Sequence, residues 1–224
     1  MSLKNIAVVL VRTTHPGNIG ATARAMANMG LTDLRLVDPV GYPGQEATAR
    51  AVGASELLEQ ASDYTSLDDA ISDAGFVVGA TARPRRIAWP CSEPEAAMRI
   101  ALGHSTTTNV AILFGREASG LTNEELDRCH LHVRIPVDDR YPSLNLASAV
   151  LIFCYELRRL SIDEDVSIED HDNTETVLAR AGQVNDFFGH LEAVLHEIEF
   201  LKYPSSRLLR RIKRIFSKRP LEAQ

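Results

Sequence analysis

The residues of this chain best suited to ligand chemistry fall into three short segments, each directly after an apolar run typical of a strand. The segments span residues 15–24, 113–122 and 135–147. In open α/β sheets ligands bind at the carboxyl ends of parallel strands, so polar side chains in these segments could meet in one pocket. Taken singly, each segment is also explained by ordinary turn or helix-capping chemistry.

The first segment, His15-Pro-Gly-Asn-Ile-Gly-Ala-Thr-Ala-Arg24, leads from a strand into a helix. Gly17 and Gly20 permit a close turn, and the amides at the start of a helix can hold an anion such as a phosphate. Asn18 is predicted to lie in the loop or at the cap and Arg24 in the helix, so the two are not stacked on one helical face. The alternative is a capped helix with a surface arginine.

The second segment, Leu113-Phe-Gly-Arg-Glu-Ala-Ser-Gly-Leu-Thr122, places two glycines around Arg116 and Glu117. Polar residues at the end of a buried strand often line a site. The alternative is a glycine-rich turn with a surface ion pair. Thr122, with Glu125 three residues later, predicts a capping box. Because a helix would then start directly after the loop, we favour the interpretation that this segment forms one wall of a compact pocket.

The third segment brings Pro142, Ser143 and Asn145 to the start of a long apolar helix. Pro142 stiffens the approach. Either Ser143 or Asn145 alone would be an ordinary N-cap. One N-cap uses only one such side chain. The presence of both, one on each side of Leu144, therefore indicates that the other has a second role.

Hydrophobic periodicity supplies the elements that would position these segments. The predicted strands are Ile6–Val11, Leu34–Val37, Phe76–Ala80, Val110–Phe114 and Leu131–Ile135. The predicted helices are Asn18–Met29 with Gly30 as its stop, Ser66–Ala74 with Ser66 as its cap, Glu93–Leu102, a short helix after Thr122, and Asn145–Leu160. This alternation predicts an α/β fold with a parallel sheet covered by helices on both faces.

Charge is distributed unevenly along the chain. The net charge is −6, which argues weakly against a nucleic-acid partner, yet residues 207–219 hold seven Lys or Arg and no acid. Helical spacing predicts an amphipathic helix over Arg207–Phe216, with Arg210, Arg211 and Arg214 on its basic face. Such a face can bind RNA phosphates; the alternative is a solvated face above an apolar contact.

The same features divide the chain into three predicted parts. Residues 1–160 carry the α/β pattern, residues 161–175 form an exposed acidic linker, and residues 176–224 form a helical extension that ends in the basic helix. The chain shows no apolar run long enough to cross a bilayer and no signal-peptide pattern, so we expect a cytoplasmic protein. Three cysteines without C-x-x-C spacing predict reduced thiols in or near the core and no metal site.

Together the three segments resemble the SPOUT superfamily, and within it the TrmH-like branch of RNA 2′-O-ribose methyltransferases. That branch carries N-x-G-x-x-x-R, F-G-x-E-x-x-G and S-L-N. Here, in the same order, stand Asn18-Ile-Gly20…Arg24, Phe114-Gly-Arg-Glu117…Gly120 and Ser143-Leu-Asn145. The sequence around the three motifs is similar to that of bacterial tRNA enzymes of this branch, which methylate nucleotide 32 of the anticodon loop. The resemblance covers residues 4–160 and, loosely, the helical tail.

The resemblance implies a parallel-sheet SPOUT fold with a C-terminal trefoil knot, an exception to the rule of unknotted chains, followed by the small helical extension. It implies a homodimer with the active site at the subunit interface, tRNA as substrate and S-adenosyl-L-methionine as cofactor. The implied cofactor-binding residues are Ala80, Thr81, Ala82, Leu113, Gly115, Ile135, Pro142, Ser143 and Leu144. The implied catalytic set is Asn18, Arg24, Glu117, Ser143 and Asn145.

Arg24 is expected to be the indispensable residue of that set. The implied reaction is an in-line attack of a ribose 2′-hydroxyl on the sulfonium methyl of the cofactor, which breaks the methyl–sulfur bond as the methyl–oxygen bond forms. This weakly acidic nucleophile needs positioning and deprotonation. The family proposal makes an arginine the base, but a guanidinium does not deprotonate in proteins. We therefore interpret Arg24 as a phosphate clamp that also orients the hydroxyl.

Three alternatives remain at this point. The chain could be a ribosomal-RNA 2′-O-methyltransferase, or a SPOUT protein that binds RNA without methylating it. A Rossmann-type nucleotide enzyme is disfavoured, because no G-x-G-x-x-G follows the first strand and no P-loop lysine is present.

Overall fold

A parallel sheet of seven strands organises the chain in the computed structural model, which describes residues 3–82, 91–163, 178–201, 207–216 and 221. The strands are β1 (Ile6–Val11), β2 (Asp33–Val37), β3 (Ser62–Tyr64), β4 (Ala74–Ala80), β5 (Cys91–Ser92), β6 (Asn109–Phe114) and β7 (Leu131–Val133). Their order across the sheet is β3-β2-β1-β6-β4-β7-β5. All six residues of β1 are buried, as expected for a central parallel strand covered on both faces.

Helices connect the strands and cover the sheet. They are α1 (Pro16–Met29), α2 (Gln45–Arg50), α3 (Ser55–Glu59), α4 (Leu67–Ala70), α5 (Pro94–His104), α6 (Asn123–Leu126), α7 (Leu146–Ile162), α8 (Ala181–Glu197) and α9 (Arg207–Phe216). One face of the sheet packs on α1, α5 and α7, through side chains such as Met26, Met98 and Phe153. The other face packs on α4 and α6, through side chains such as Leu67 and Leu126. The predicted parallel α/β architecture is confirmed.

Several predicted boundaries are confirmed by capping geometry. Gly30 ends α1 with a left-handed φ of 79°, a conformation that glycine adopts without strain. Ser66 caps α4 by accepting a hydrogen bond from the Asp69 amide. Thr122 and Glu125 form the predicted capping box at α6, and Asn145 is the N-cap of α7.

Other boundaries were wrong. Helix α1 begins at Pro16, two residues earlier than predicted, because proline at the first helical position presets the backbone. Asn18 therefore lies in the first helical turn and not in the loop or at the cap. The helix predicted over Ser66–Ala74 is only α4, because the chain turns at Ile71 and strand β4 already begins at Ala74.

Strand β7 ends at Val133, before the predicted Ile135, because its two neighbours β4 and β5 end opposite Val133, at Ala80 and Ser92. Four short elements were not predicted: α2, α3, β3 and β5. Each is too short to show a hydrophobic period, and β3 and β5 lie at the edges of the sheet.

The helical extension packs against the α4 side of the sheet. The Gly182 amide at the start of α8 donates to the Ser72 carbonyl at 3.2 Å. Phe187 and Phe188 of α8 pack edge-to-face with Phe216 of α9. Helix α9 has the predicted bounds. Most of the predicted acidic linker, residues 164–175, lies outside the described residues.

Two of the three thiols are buried. Cys129 and Cys154 lie in the core, as predicted, whereas Cys91 is exposed on edge strand β5. No helix in the described ranges combines the length and apolar character that a membrane span needs.

Candidate active site

A cleft of about 200 Å³ opens at the carboxyl ends of β4, β6 and β7. Its walls are the residues that follow those strands and the loop that leads into α7. Apolar side chains of α7, including Leu146 and Phe153, form its floor. The Thr81 amide donates to the Val133 carbonyl at 2.9 Å, which holds the ends of β4 and β7 together beside the cleft. The second and third of the segments singled out by sequence therefore meet at this cleft, as parallel-sheet topology predicts, whereas no residue of the first segment lines it.

Eight of the nine predicted cofactor-binding residues line this cleft. They are Ala80, Thr81, Ala82, Gly115, Ile135, Pro142, Ser143 and Leu144. Leu113 does not line it, because its side chain points to the opposite face of the sheet and packs with Leu121 and Leu126. The next residue, Phe114, faces the cleft instead. This difference follows from the alternation of side chains along a strand.

The two glycines of the second segment make a tight loop above the end of β6. A side chain on Gly115 would collide with the backbone of Gly120 and Leu121. Gly120 has a φ of 68°, and its amide donates to the Arg116 carbonyl at 2.8 Å. The loop therefore requires glycine at both positions, for two different reasons: close approach at Gly115 and backbone conformation at Gly120.

Arg116 fastens this loop to α6. Its guanidinium donates two hydrogen bonds of 3.0 Å to the two carboxylate oxygens of Glu125. Glu125 also accepts from the Thr122 amide at 2.7 Å. This ion pair is largely buried, with the two side chains 20% and 14% exposed, so it differs from the surface ion pair considered from sequence, and it stabilises the loop that carries Glu117.

Glu117 joins the second segment to the first. Its carboxylate accepts hydrogen bonds from the amides of Thr14 and His15, at 3.0 and 3.2 Å, and from the Thr14 hydroxyl at 2.8 Å. The Asn18 side-chain amide donates a fourth, at 2.8 Å. His15, the N-cap residue of α1, provides no side-chain cap, and Glu117 binds the two backbone amides that directly precede the helix from a distant part of the chain.

These contacts also set the charge of Glu117. Partial burial raises the pKa of the carboxyl, but the hydrogen bonds from Asn18 and Thr14 outweigh that effect and lower the pKa to about 2. Glu117 is therefore ionised at neutral pH and acts as an acceptor, not as an acid.

Asn18 joins the first segment to the third. Its side-chain oxygen accepts a hydrogen bond from the Asn145 amide group at 2.9 Å. The Asn145 oxygen in turn accepts from the backbone amides of Ala147 and Ser148 at the start of α7. A chain of hydrogen bonds, Glu117–Asn18–Asn145, therefore connects one residue from each segment.

Comparison with known proteins matches the site to a family. Residues 5–155 match the model of the SpoU rRNA Methylase family. The chain belongs to this family. The matched range contains all three segments and ends within α7, so it includes the residues that line the cleft.

Individual relatives of this SpoU methylase carry a more specific name. A "tRNA (cytidine/uridine-2'-O-)-methyltransferase TrmJ" of Photorhabdus laumondii is 41% identical over 99% of this chain and 92% of its own. A "tRNA (cytidine/uridine/adenosine-2'-O-)-methyltransferase TrmJ" of Pseudomonas aeruginosa is 42% identical over 96% of this chain and 87% of its own. The crystal structure of TrmJ from Z. mobilis ZM4 superposes with a TM-score of 0.81 at 32% identity, covering 95% of this chain and 90% of that one. The resemblance stated from sequence is confirmed.

Arg24 stands apart from the cleft of this SpoU methylase. It is exposed on α1 and is absent from the lining, and no hydrogen bond or ion pair joins it to another part of the described chain. Arg211 of α9 is also exposed. The side chains of Arg210 and Arg214 lie outside the described residues.

Sequence reasoning missed two groups of site residues. Thr14 and His15 act through backbone amides, which leave no signal in residue type. The apolar lining residues Phe114, Val133 and Phe153 were predicted as parts of strands and of a helix, but not as cofactor-binding residues. Only their position at strand ends and on the inner face of α7 distinguishes them.

No group of three or more His, Cys, Asp or Glu side chains in the described part of the chain could hold a metal ion. His130 and His132, two residues apart in sequence, bond instead to backbone groups: the His132 ring contacts the Leu126 carbonyl at 3.1 Å, and His130 accepts from the Val77 amide at 3.0 Å.

Proposed function

We propose that this SpoU methylase transfers a methyl group from S-adenosyl-L-methionine to a ribose 2′-hydroxyl of tRNA, at the cytidine or uridine of position 32 in the anticodon loop. The observation that carries the proposal is the hydrogen-bonded chain Glu117–Asn18–Asn145 beside the cleft. It ties together the three motifs that mark 2′-O-ribose methyltransferases. The names of the TrmJ relatives support tRNA as the substrate.

The cleft suits S-adenosyl-L-methionine in shape and charge. Apolar side chains such as Ile135 and Leu144 could enclose an adenine ring, and the glycine loop offers backbone groups for hydrogen bonds. The cation among the lining residues, Arg116, is neutralised by Glu125, whereas Glu117 adds a negative charge. Such a lining is compatible with a positively charged sulfonium, and when bound the cofactor supplies a methyl group reactive toward nucleophiles.

The chain's own residues would position the second reactant. Asn145 fixes the start of α7 and, through it, the loop of Ser143 that lines the cleft. Asn18 holds α1 at a set distance from that loop. Arg24 would clamp a phosphate of the RNA and orient the 2′-hydroxyl, because a guanidinium binds phosphate in two-pronged geometry and keeps its proton.

The position of Arg24 supports a homodimer. A cleft that lacks Arg24 within one chain is complete if the Arg24 side chain of a second copy reaches it, which places the active site at the subunit interface.

We further propose a trefoil knot in the segment that forms the cleft, and a cytoplasmic location with the tRNA. A methyltransferase domain over residues 1–160 would be joined by the 161–175 linker to the extension over 176–224, whose residues Arg210, Arg211 and Arg214 would bind RNA.

The test is methyl transfer from labelled S-adenosyl-L-methionine to unmodified total tRNA, followed by mapping of the 2′-O-methyl group. We expect label at position 32, and we expect Arg24→Ala to abolish transfer while cofactor binding, measured by calorimetry, survives. Arg99→Ala is the control, because Arg99 is a half-exposed arginine of α5 that pairs with Glu95 and does not line the cleft.

Three results would contradict the proposal. Label in ribosomal RNA but not in tRNA would make the chain an rRNA methyltransferase. Cofactor binding without transfer to any RNA would make it an RNA-binding protein without activity. Near-normal turnover by Arg24→Ala would remove Arg24 from the site.

A further inference from the structure

Tyr141 is the most exposed large apolar side chain among the described residues, with 78% of its surface accessible. A single exposed aromatic ring is common on protein surfaces and by itself means little. Its position gives it meaning here, because Tyr141 directly precedes Pro142, Ser143 and Leu144, which line the cleft.

The turn that carries Tyr141 projects from the rim of the cleft. Val137 and Pro142 both line the cleft, whereas the four residues between them do not. The chain therefore turns away from the cleft after Val137 and returns to it at Pro142. Arg140 and Tyr141 are both exposed in this turn. The Tyr141 ring is therefore held outside the cleft, one residue away from its lining.

Hydrogen bonds fix the shape of this turn. The Tyr141 amide donates to the Asp138 carbonyl at 2.9 Å. The Asp138 carboxylate accepts from the Arg140 amide at 2.8 Å and from the Arg140 guanidinium at 3.0 and 2.8 Å. An aspartate that closes its own turn in this way orders the backbone. The ring is thus presented from an ordered support, which reduces the entropy lost when it binds a partner.

We propose that Tyr141 stacks on an unpaired base of the substrate, next to the ribose whose 2′-hydroxyl enters the cleft. The inference rests on the proposed function, in which the substrate is the single-stranded loop of a tRNA. Recognition of such loops relies on bases that are splayed out and stacked on aromatic side chains. Stacking tolerates any base, because every base has a π-face, so Tyr141 contributes affinity and orientation without reading base identity.

The test compares Tyr141→Ala, Tyr141→Phe and Tyr141→Leu in the full-length protein, with an anticodon stem-loop that carries 2-aminopurine beside the target nucleotide. We expect Tyr141→Ala to raise the KM for the stem-loop by about 5- to 150-fold, the range typical of replacing a stacking residue by alanine. The affinity for S-adenosyl-L-methionine stays the same. We also expect binding to quench 2-aminopurine fluorescence in the wild type and in Tyr141→Phe, but not in the alanine or leucine variants, which lack an aromatic ring.

Val52→Ala is the control, because Val52 is a similarly exposed apolar side chain, 63% accessible, that does not line the cleft. Unchanged KM and quenching in Tyr141→Ala would overturn the inference. So would a KM restored by leucine, which would indicate simple apolar contact, or a change in oligomeric state that accounts for the loss. If the wild type methylates no tRNA, the proposed function fails; if it does and the Tyr141 variants behave as the wild type, the inference alone fails.

Discussion

At the scale of single residues, Glu117 makes more of the hydrogen bonds that hold the site together than its position in the second motif indicates. It accepts four hydrogen bonds from the segment that starts α1. Through Asn18 it is also connected to Asn145 and hence to the start of α7. Its ionised carboxylate therefore sets the distance between two helices as well as contributing to the wall of the cleft.

We predict that Glu117→Gln lowers both stability and activity. A glutamine side chain would lose charge-assisted hydrogen bonds and turn its own donors toward the amides of Thr14 or His15. Because the group is partly exposed, we expect a loss of only about 1–2 kcal/mol in the free energy of unfolding. We expect methyl transfer to fall by about tenfold or more, since small displacements at a reacting centre are costly.

The same substitution should change the pH dependence of stability. The folded pKa of Glu117, about 2, lies below its ordinary value of 4.5. Its contribution is therefore present above pH 4.5 and is lost as the pH falls toward 2. Thermal unfolding between pH 7 and 3 measures this: the difference in Tm between wild type and Glu117→Gln should shrink on acidification. Glu59→Gln, at the exposed end of α3, is the control; a pH-independent difference would refute the charge argument.

The residue types of the site could be predicted from sequence, but their connections could not. Asn18 and Glu117 are separated by 99 residues, and Asn18 and Asn145 by 127. Motif order placed them in one site, yet nothing local shows that Asn18 bonds both partners. The position of Arg24 outside the cleft also depends on the tertiary path of α1, which periodicity does not reveal.

At the scale of elements, long buried strands and capped helices were predictable because their signals are local. The all-buried β1 and the capping box of α6 are examples. Edge strands β3 and β5, of three and two residues, form because a neighbour offers backbone partners. The formation of β3 and β5 therefore depends more on the neighbouring strand than on their own residue types.

The glycine loop after β6 supports a prediction at this scale. Gly115→Ala should displace the loop, because the added methyl group would collide with the backbone of Gly120. We expect cofactor affinity to fall by at least about tenfold and Tm to decrease, since an overpacked site costs roughly 1–3 kcal/mol. Calorimetry with S-adenosyl-L-methionine and thermal unfolding measure the two effects.

Gly189→Ala is the matched control for that substitution. Gly189 lies within α8, and a side chain there would meet no atom within 4 Å. Alanine favours helix over glycine by up to about 1 kcal/mol, so this variant should be as stable as the wild type or slightly more so. Normal cofactor affinity in Gly115→Ala would show that the close approach to Gly120 is not required.

At the scale of the whole molecule, the basic residues of the C-terminal segment and the cleft belong to different parts of the chain. Residues 1–206 hold 17 Lys or Arg and 29 Asp or Glu, a net charge of −12, whereas residues 207–219 hold seven bases and no acid. The cleft lies at the carboxyl ends of β4, β6 and β7, and the basic helix α9 belongs to the extension packed on the α4 side. RNA phosphates bound by α9 would therefore lie on a surface distinct from the cleft, where Arg24 would clamp the phosphate next to the reacting ribose.

This separation predicts different effects on binding and on turnover. Replacing Arg210, Arg211 and Arg214 together by glutamine should weaken tRNA binding and reduce its salt dependence. For every phosphate that is no longer neutralised, the slope of log K against log salt concentration decreases in magnitude by about 0.7–0.9. At low salt and saturating tRNA, kcat should stay within about twofold of the wild type, because the lining of the cleft is unchanged. Filter binding across a salt series and single-turnover methylation measure the two quantities.

Arg99→Gln on α5 removes one half-exposed positive charge away from α9 and shows the effect of a changed net charge. A triple variant that keeps the wild-type salt slope would mean that α9 binds no phosphate, and its basic face would then be a solvated surface. A triple variant whose kcat collapses at saturating tRNA would mean that α9 helps to orient the ribose. The slope and the kcat together therefore decide whether the extension captures the tRNA, orients it, or does neither.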